Sequence, residues 1–152
     1  MQTVLVEANK RLIKMTDSRY ELKRKETEVK LNAKTGLDFS IFDSYTGKER
    51  DVASLSGGEK FKASLALALG LSDAISNNRG GIKIDSLFID EGFGSLDSES
   101  LNQALNILSD LSGNDKLVGV ISHVSELMSR IDNKILVNKT NTGSIVNIES
   151  TN

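Results

Sequence analysis

The sequence predicts an α/β fold: a mostly parallel sheet flanked by helices, preceded by an N-terminal helix and an antiparallel β meander. Three observations predict it. Apolar residues recur at helical spacing from Thr3 to Met15. Short alternating or β-branched segments follow, punctuated by turn residues. Beyond residue 85 come brief continuous apolar runs separated by helical stretches, which is how strands of a parallel sheet buried on both faces read.

Taken in order, Val4, Leu5, Ala8, Leu12 and Met15 define one amphipathic helix. Arg19 to Arg24, Glu28 to Ala33 and Leu37 to Phe42 are the strands of the meander, with turns at Lys34-Thr35-Gly36 and Tyr45-Thr46-Gly47. Glu59 to Ile75 reads as a helix buried nearly all round, with Phe61, Leu65, Ala68, Leu69, Ser72 and Ile75 on one face, and Asn77 to Gly81 ends it. Phe61 and the aliphatic run after it are assigned to the core, with no cofactor role. Leu87-Phe88-Ile89, Leu117 to Ile121 and Ile135 to Val137 are the later strands, and Glu99 to Leu111 and Ser125 to Ile131 the helices between them. Asn141-Thr142-Gly143 is a hairpin turn joining Ile135–Lys139 to Ser144–Ile148.

Composition excludes several classes of function. The 152 residues suit one domain, and a net charge of −2 removes a wholly basic nucleic-acid binder, so any DNA contact is local. The densest basic cluster is Lys10, Arg11, Lys14, Lys23, Arg24 and Lys25; it reads as a solvated face in preference to a DNA track. With no Cys and one His, neither a thiolate metal site nor an ordinary structural zinc site can be built. No secretion signal or membrane-spanning run is apparent, so a soluble cytoplasmic protein is expected.

The chemistry gathers at three places. Strand 87–89 ends in the adjacent acids Asp90 and Glu91, a costly pair unless a cation or a proton-acceptor role uses them; the bland alternative is a pair of solvated acids before a turn. Strand 117–121 ends in Ser122 and the sole histidine, His123, and if the two strands are parallel neighbours both clusters share one rim. The third is Leu55-Ser56-Gly57-Gly58-Glu59, where a glycine-rich turn feeds a helix N-terminus suited to a phosphate. Ser56 and Glu59 also fit a capping box, and both readings can hold together.

In order and spacing, Leu55 to Glu59, then Ser86 to Glu91, then Gly94-Ser95-Leu96-Asp97, then Ser122-His123 resemble the signature, Walker B, D-loop and switch histidine of the ATP-binding-cassette superfamily. Within it, Asp90-Glu91-Gly92-Phe93-Gly94-Ser95-Leu96-Asp97 is similar to the SbcC family of exonuclease subunits, which are double-strand-break-repair ATPases. So are Phe42 to Arg50, Asn9 to Leu12 and Arg19 to Leu22. The resemblance spans nearly the whole chain. It implies the C-terminal lobe of an ATPase head, with residues 1–16 the base of a coiled-coil helix and 17–152 the half-head. It also implies ATP and Mg²⁺ as ligands, with Asp90 on the metal, Glu91 as general base and His123 on the γ-phosphate. Ser56, Gly57, Gly58 and Glu59 would meet the nucleotide of a second head, and Asp97 would link the two sites.

No Gly-x-x-x-x-Gly-Lys-Ser/Thr phosphate loop occurs. The family carries it in an N-terminal segment beyond a long coiled coil, so the resemblance implies a partner half bearing Walker A, a second head, an SbcD-like nuclease and double-stranded DNA as partners. A transport cassette half is disfavoured by Glu59 and Gly92-Phe93-Gly94. A non-catalytic scaffold resembling the heads of chromosome-maintenance proteins is disfavoured by Glu91. A half-head without its partner is expected to expose an apolar sheet edge and so to self-associate.

Overall fold

The computed structural model describes residues 2–25, 39–77, 84–112 and 116–150. The first helix, α1 (Gln2–Met15), turns Val4, Ala8, Leu12 and Met15 inward at the expected spacing. It runs into a meander of β1 (Tyr20–Arg24), β2 (Phe39–Asp43) and β3 (Lys48–Asp51), antiparallel in that order. Asn9 clamps α1 to this sheet: its Nδ2 donates to the Leu22 carbonyl at 2.9 Å and its Oδ1 accepts from the Leu22 amide at 2.8 Å. The Glu28–Ala33 strand and the Lys34-Thr35-Gly36 turn lie outside the described residues. β3 is an addition to the expected meander, since Lys-Glu-Arg-Asp carries no apolar alternation.

Next comes α2 (Gly57–Ser76), which crosses α1 so closely that a Cβ at Gly70 would lie 2.6 Å from the Val4 carbonyl oxygen and the Ala8 amide nitrogen. Those neighbours are backbone and cannot rotate away. Gly70→Ala is therefore expected to force the helices apart and lower stability by about 1–3 kcal/mol, read as a fall in the urea unfolding midpoint. A second tie is electrostatic: Asp73 of α2 receives Arg11 from α1 and, at 3.1 Å, Lys116 from the segment before β5. Partial burial pushes the Asp73 carboxyl up, but the two cations outweigh it and hold it below its ordinary value.

Contrary to the all-round burial expected of α2, only Ala63, Leu65, Ala66, Leu69 and Gly70 are buried, while Ala68, Leu71 and Ile75 are exposed. The buried face is thus centred on the α1 contact.

The parallel pair is β4 (Ser86–Asp90) with β5 (Leu117–Ile121), in register from Ser86 opposite Leu117 to Asp90 opposite Ile121. Between them runs α3 (Ser98–Ser112), burying Leu101, Ala104, Ile107, Leu108 and Leu111. A short α4 (Ser125–Met128) leads to the hairpin of β6 (Asn133–Thr140) and β7 (Gly143–Ser150), antiparallel across the expected turn. The α/β class holds, and among the described residues its parallel part is this one pair.

Burial on both faces does not hold for β4 and β5. Leu87, Ile89, Val118 and Val120 pack against the core, whereas Phe88 is 65% exposed, Leu117 63% and Ile121 55%. Ile135, Val137, Val146 and Ile148 of the hairpin are open as well. The physical reason is that the described core, from which α3 packs on β5, lies against one side of the pair only. No described helix is long and apolar enough to cross a membrane.

Candidate nucleotide site

At the carboxyl end of the parallel pair the ladder runs one residue past β4, with the Glu91 amide donating to the Ile121 carbonyl at 2.9 Å. Glu91 and Gly92 then take left-handed conformations, with φ of 57° and 98°. For a glutamate such backbone stores on the order of 1 kcal/mol or more, which the surrounding packing must hold in place. The result is a reversal that leaves the Glu91 carboxylate beside the imidazole: His123 Nδ1 lies 3.1 Å from Oε2 and 3.2 Å from Oε1. Both side chains are open to solvent. Asp90, exposed and opposite Ile121, belongs to the uncovered face of the pair. The acids and the histidine therefore share a rim.

The glycine turn forms a second group. Ser56 caps α2 with a complete capping box: the Glu59 amide donates to Ser56 Oγ at 3.3 Å and the Ser56 amide to Glu59 Oε2 at 2.9 Å. The other carboxylate oxygen, Oε1, accepts the Tyr20 hydroxyl at 2.6 Å, with Arg19 at 3.8 Å. Burial pushes the Glu59 carboxyl up, but hydrogen bonds from Tyr20 and Ser56 and the Arg19 charge bring it below its usual value. Tyr20 is pushed up to about 12 by burial and by Glu59. Behind it Asp43, 1% exposed, receives Arg19 at 3.2 Å and Arg50 at 3.4 Å. The Arg19 hydrogen bond is foremost in holding the Asp43 carboxyl low, despite burial.

This network ties the meander to the N-terminus of α2. It borders an open polar cleft of about 420 Å³ lined by Arg19, Ser56, Gly57, Gly58, Lys62 and Asp97, among others. Asp97 caps α3, accepting from the Ser100 amide at 2.7 Å, and that bond leads in lowering its carboxyl. Asp90, Glu91 and His123 do not line this cleft. The expected site residues thus fall into two groups, one on the rim and one in the cleft.

Nothing local in the sequence marks Arg19, Tyr20 and Lys62 as neighbours of the site. Their partners lie tens of residues away, beyond the reach of any short pattern. The basic cluster at the foot of α1 is largely matched by acids: Lys10 with Glu7, Arg11 with Asp73, Lys23 with Glu49, Lys25 with Asp51. It is a neutralised face.

The family described as "SbcC/RAD50-like, Walker B motif" matches residues 29–110. The chain belongs to the SbcC family. Its similarity to the SbcC subunit of the SbcCD nuclease of Vibrio cholerae is 52% identity over 97% of this chain and 15% of that protein. The counterpart in Treponema pallidum is 52% identical over 91% and 13%. This SbcC-family chain accordingly spans about 15% of the length of the first of these relatives. Membership removes the transport-cassette alternative.

Among solved structures, a chain described under "Structural biochemistry of ATP-driven dimerization and DNA stimulated activation of SMC ATPases" superposes with a TM-score of 0.73. The match is at 16% identity and covers 98% of this chain and 84% of that one. The "SMC head domain from Thermotoga maritima" gives 0.65 at 21% identity, covering all of this chain and 48% of that one. At such identities the likeness establishes the fold, that of an ATPase head.

Proposed function

We propose that this chain is the catalytic half of an ATPase head in a DNA-repair nuclease complex, supplying base and signature but not the phosphate cradle. The observation that carries the reading is the Glu91–His123 pair at the carboxyl rim of a parallel sheet, in an SbcC-family chain. Hydrolysis needs a water activated in line with the γ-phosphorus. Glu91 accepts that water's proton as the bond to ADP breaks. His123 holds the carboxylate from one side and meets the γ-phosphate from the other.

Asp90 would hold Mg²⁺. The donor set fits, because magnesium is commonly bound through one or two carboxylates together with substrate phosphates, and Asp90 is exposed at the rim beside Glu91. When bound, Mg²⁺ neutralises charge on the phosphates.

Ser56 serves a different nucleotide, that of a second head. Its hydroxyl rests against the Glu59 carboxylate and its oxygen accepts from the Glu59 amide, so a γ-phosphate entering the cleft beside Arg19 and Lys62 takes the hydroxyl proton over from Glu59. Gly57 and Gly58 add backbone donors, Glu59 holds Ser56 in place, and Asp97 borders the same interface. The open face of β4 and β5 is where the half bearing the phosphate loop packs, and α1 is the base of the coiled coil (residues 1–16), leaving 17–152 as the half-head. The nuclease partner is an SbcD-like protein acting on double-stranded DNA in the cytoplasm. DNA is met elsewhere than on the neutralised basic cluster.

Mixing tests this reading. The chain alone is expected to release no phosphate from ATP, and addition of the phosphate-loop half is expected to establish turnover. Turnover by the isolated chain, or none from the mixture, would overturn it.

A further inference from the structure

Phe61 lies one turn into α2 from the signature glycines, yet its ring packs on the Walker B turn. Its centroid is 4.7 Å from that of Phe93 at a 59° tilt, and a Cβ at Gly92 would come within 2.6 Å of its Cε2. The ring therefore backs Gly92, the second of the two left-handed residues at the turn that aims the catalytic carboxylate. The Glu91 backbone is tied to Ile121, and its carboxylate meets His123, itself open to solvent. A second contact joins the same two segments, since Cβ atoms at Gly57 and Gly58 would sit 3.3 Å from Ser95 Cβ and 3.2 Å from the Ser95 carbonyl oxygen. Signature and Walker B turns of one head are thus packed as one body.

From this packing we infer that Phe61 is a positioning residue for Glu91, so that the signature helix of a head sets the catalytic base of the same head. The inference rests on the ATPase reading above. When the signature closes on the nucleotide of a second head, force on α2 passes through the ring to the Gly92 reversal. Phe61 does not touch substrate. Its effect is on the aim of a carboxylate, and a displacement of about 1 Å in such a group can cost on the order of 100-fold.

The test uses the assembled head, this chain with its phosphate-loop half. Phe61→Leu is expected to lower kcat by about 10-fold or more with little change in the KM for ATP, because the loss falls on the transition state alone. Phe61→Tyr, which keeps the ring, should restore kcat. Unchanged kcat in Phe61→Leu overturns the inference, and so does a fall in kcat matched by an equal rise in KM.

Glu91→Gln separates the two claims. If it turns over ATP normally, the base assignment fails and the inference with it; if it is inactive while Phe61→Leu is normal, only the inference fails. Should Phe61→Leu not fold, Gly92→Ala probes the contact from the other side. Gly92→Ala should slow turnover, and Phe61→Met added to it should recover part of the loss by freeing the space. A double variant as slow as the product of the two single effects overturns the inference.

Discussion

Glu91→Gln in the assembled head is expected to lower ATP turnover by about 100- to 10,000-fold, the range that general-base catalysis contributes. The amide keeps the size of the side chain and a hydrogen-bonding oxygen beside His123, so the rim geometry survives. What disappears is the basic oxygen that takes the proton from water. Nucleotide binding depends on the phosphate-loop half and should persist, so the variant should accumulate as an ATP-bound head dimer, seen as a shift on size-exclusion chromatography with ATP. Turnover near the wild-type rate would place the base elsewhere. The same variant addresses the scaffold alternative, because a head used for dimerisation alone would lose nothing.

Much of this site is legible in sequence because its parts are local. Ser56 and Glu59 specify a capping box within four residues, and the structure forms both of its bonds. A short apolar run ending in acids specifies a strand leading to a rim, and β4 and β5 pair in parallel as that reading requires. Helix periodicity places α1 and α3 to within a residue or so at each end.

What escapes is long-range or depends on a missing neighbour. Lys48 to Asp51 has no apolar member, yet it is a strand because β2 offers it a ladder and its charges remain at the edge. The link from Tyr20 to Glu59 joins residues 39 apart in sequence. Phe61 reads as core on its apolar character, which says nothing of which backbone turn its ring supports. The apolar runs of β4, β5 and the hairpin read as doubly buried because sequence reports what a segment can bury, not whether this chain supplies the cover.

Ser56→Arg is expected to abolish turnover of the assembled head while leaving ATP binding by the phosphate-loop half intact. Two effects combine, and they can be separated. Removing the cap costs α2 about 1 kcal/mol, and Ser56→Ala measures that cost and the loss of the hydroxyl without the bulk of the arginine. The arginine adds bulk to a cleft already lined by Arg19 and Lys62, filling the space the other head's γ-phosphate would enter. A sharper result comes from mixing heads that carry Ser56→Arg with heads that carry Glu91→Gln, each inactive by itself. If the signature acts across the dimer, every mixed dimer has one site with an intact Ser56 from one head and an intact Glu91 from the other. Equal mixing should then restore activity to about a quarter of the wild-type value, since about half of the random dimers are mixed and half of their sites are whole. If Ser56 acted on its own head's nucleotide, no site in any mixed dimer would be complete and the mixture would stay silent. The two arrangements of the same residues are thus told apart by recovery of phosphate release from two dead proteins.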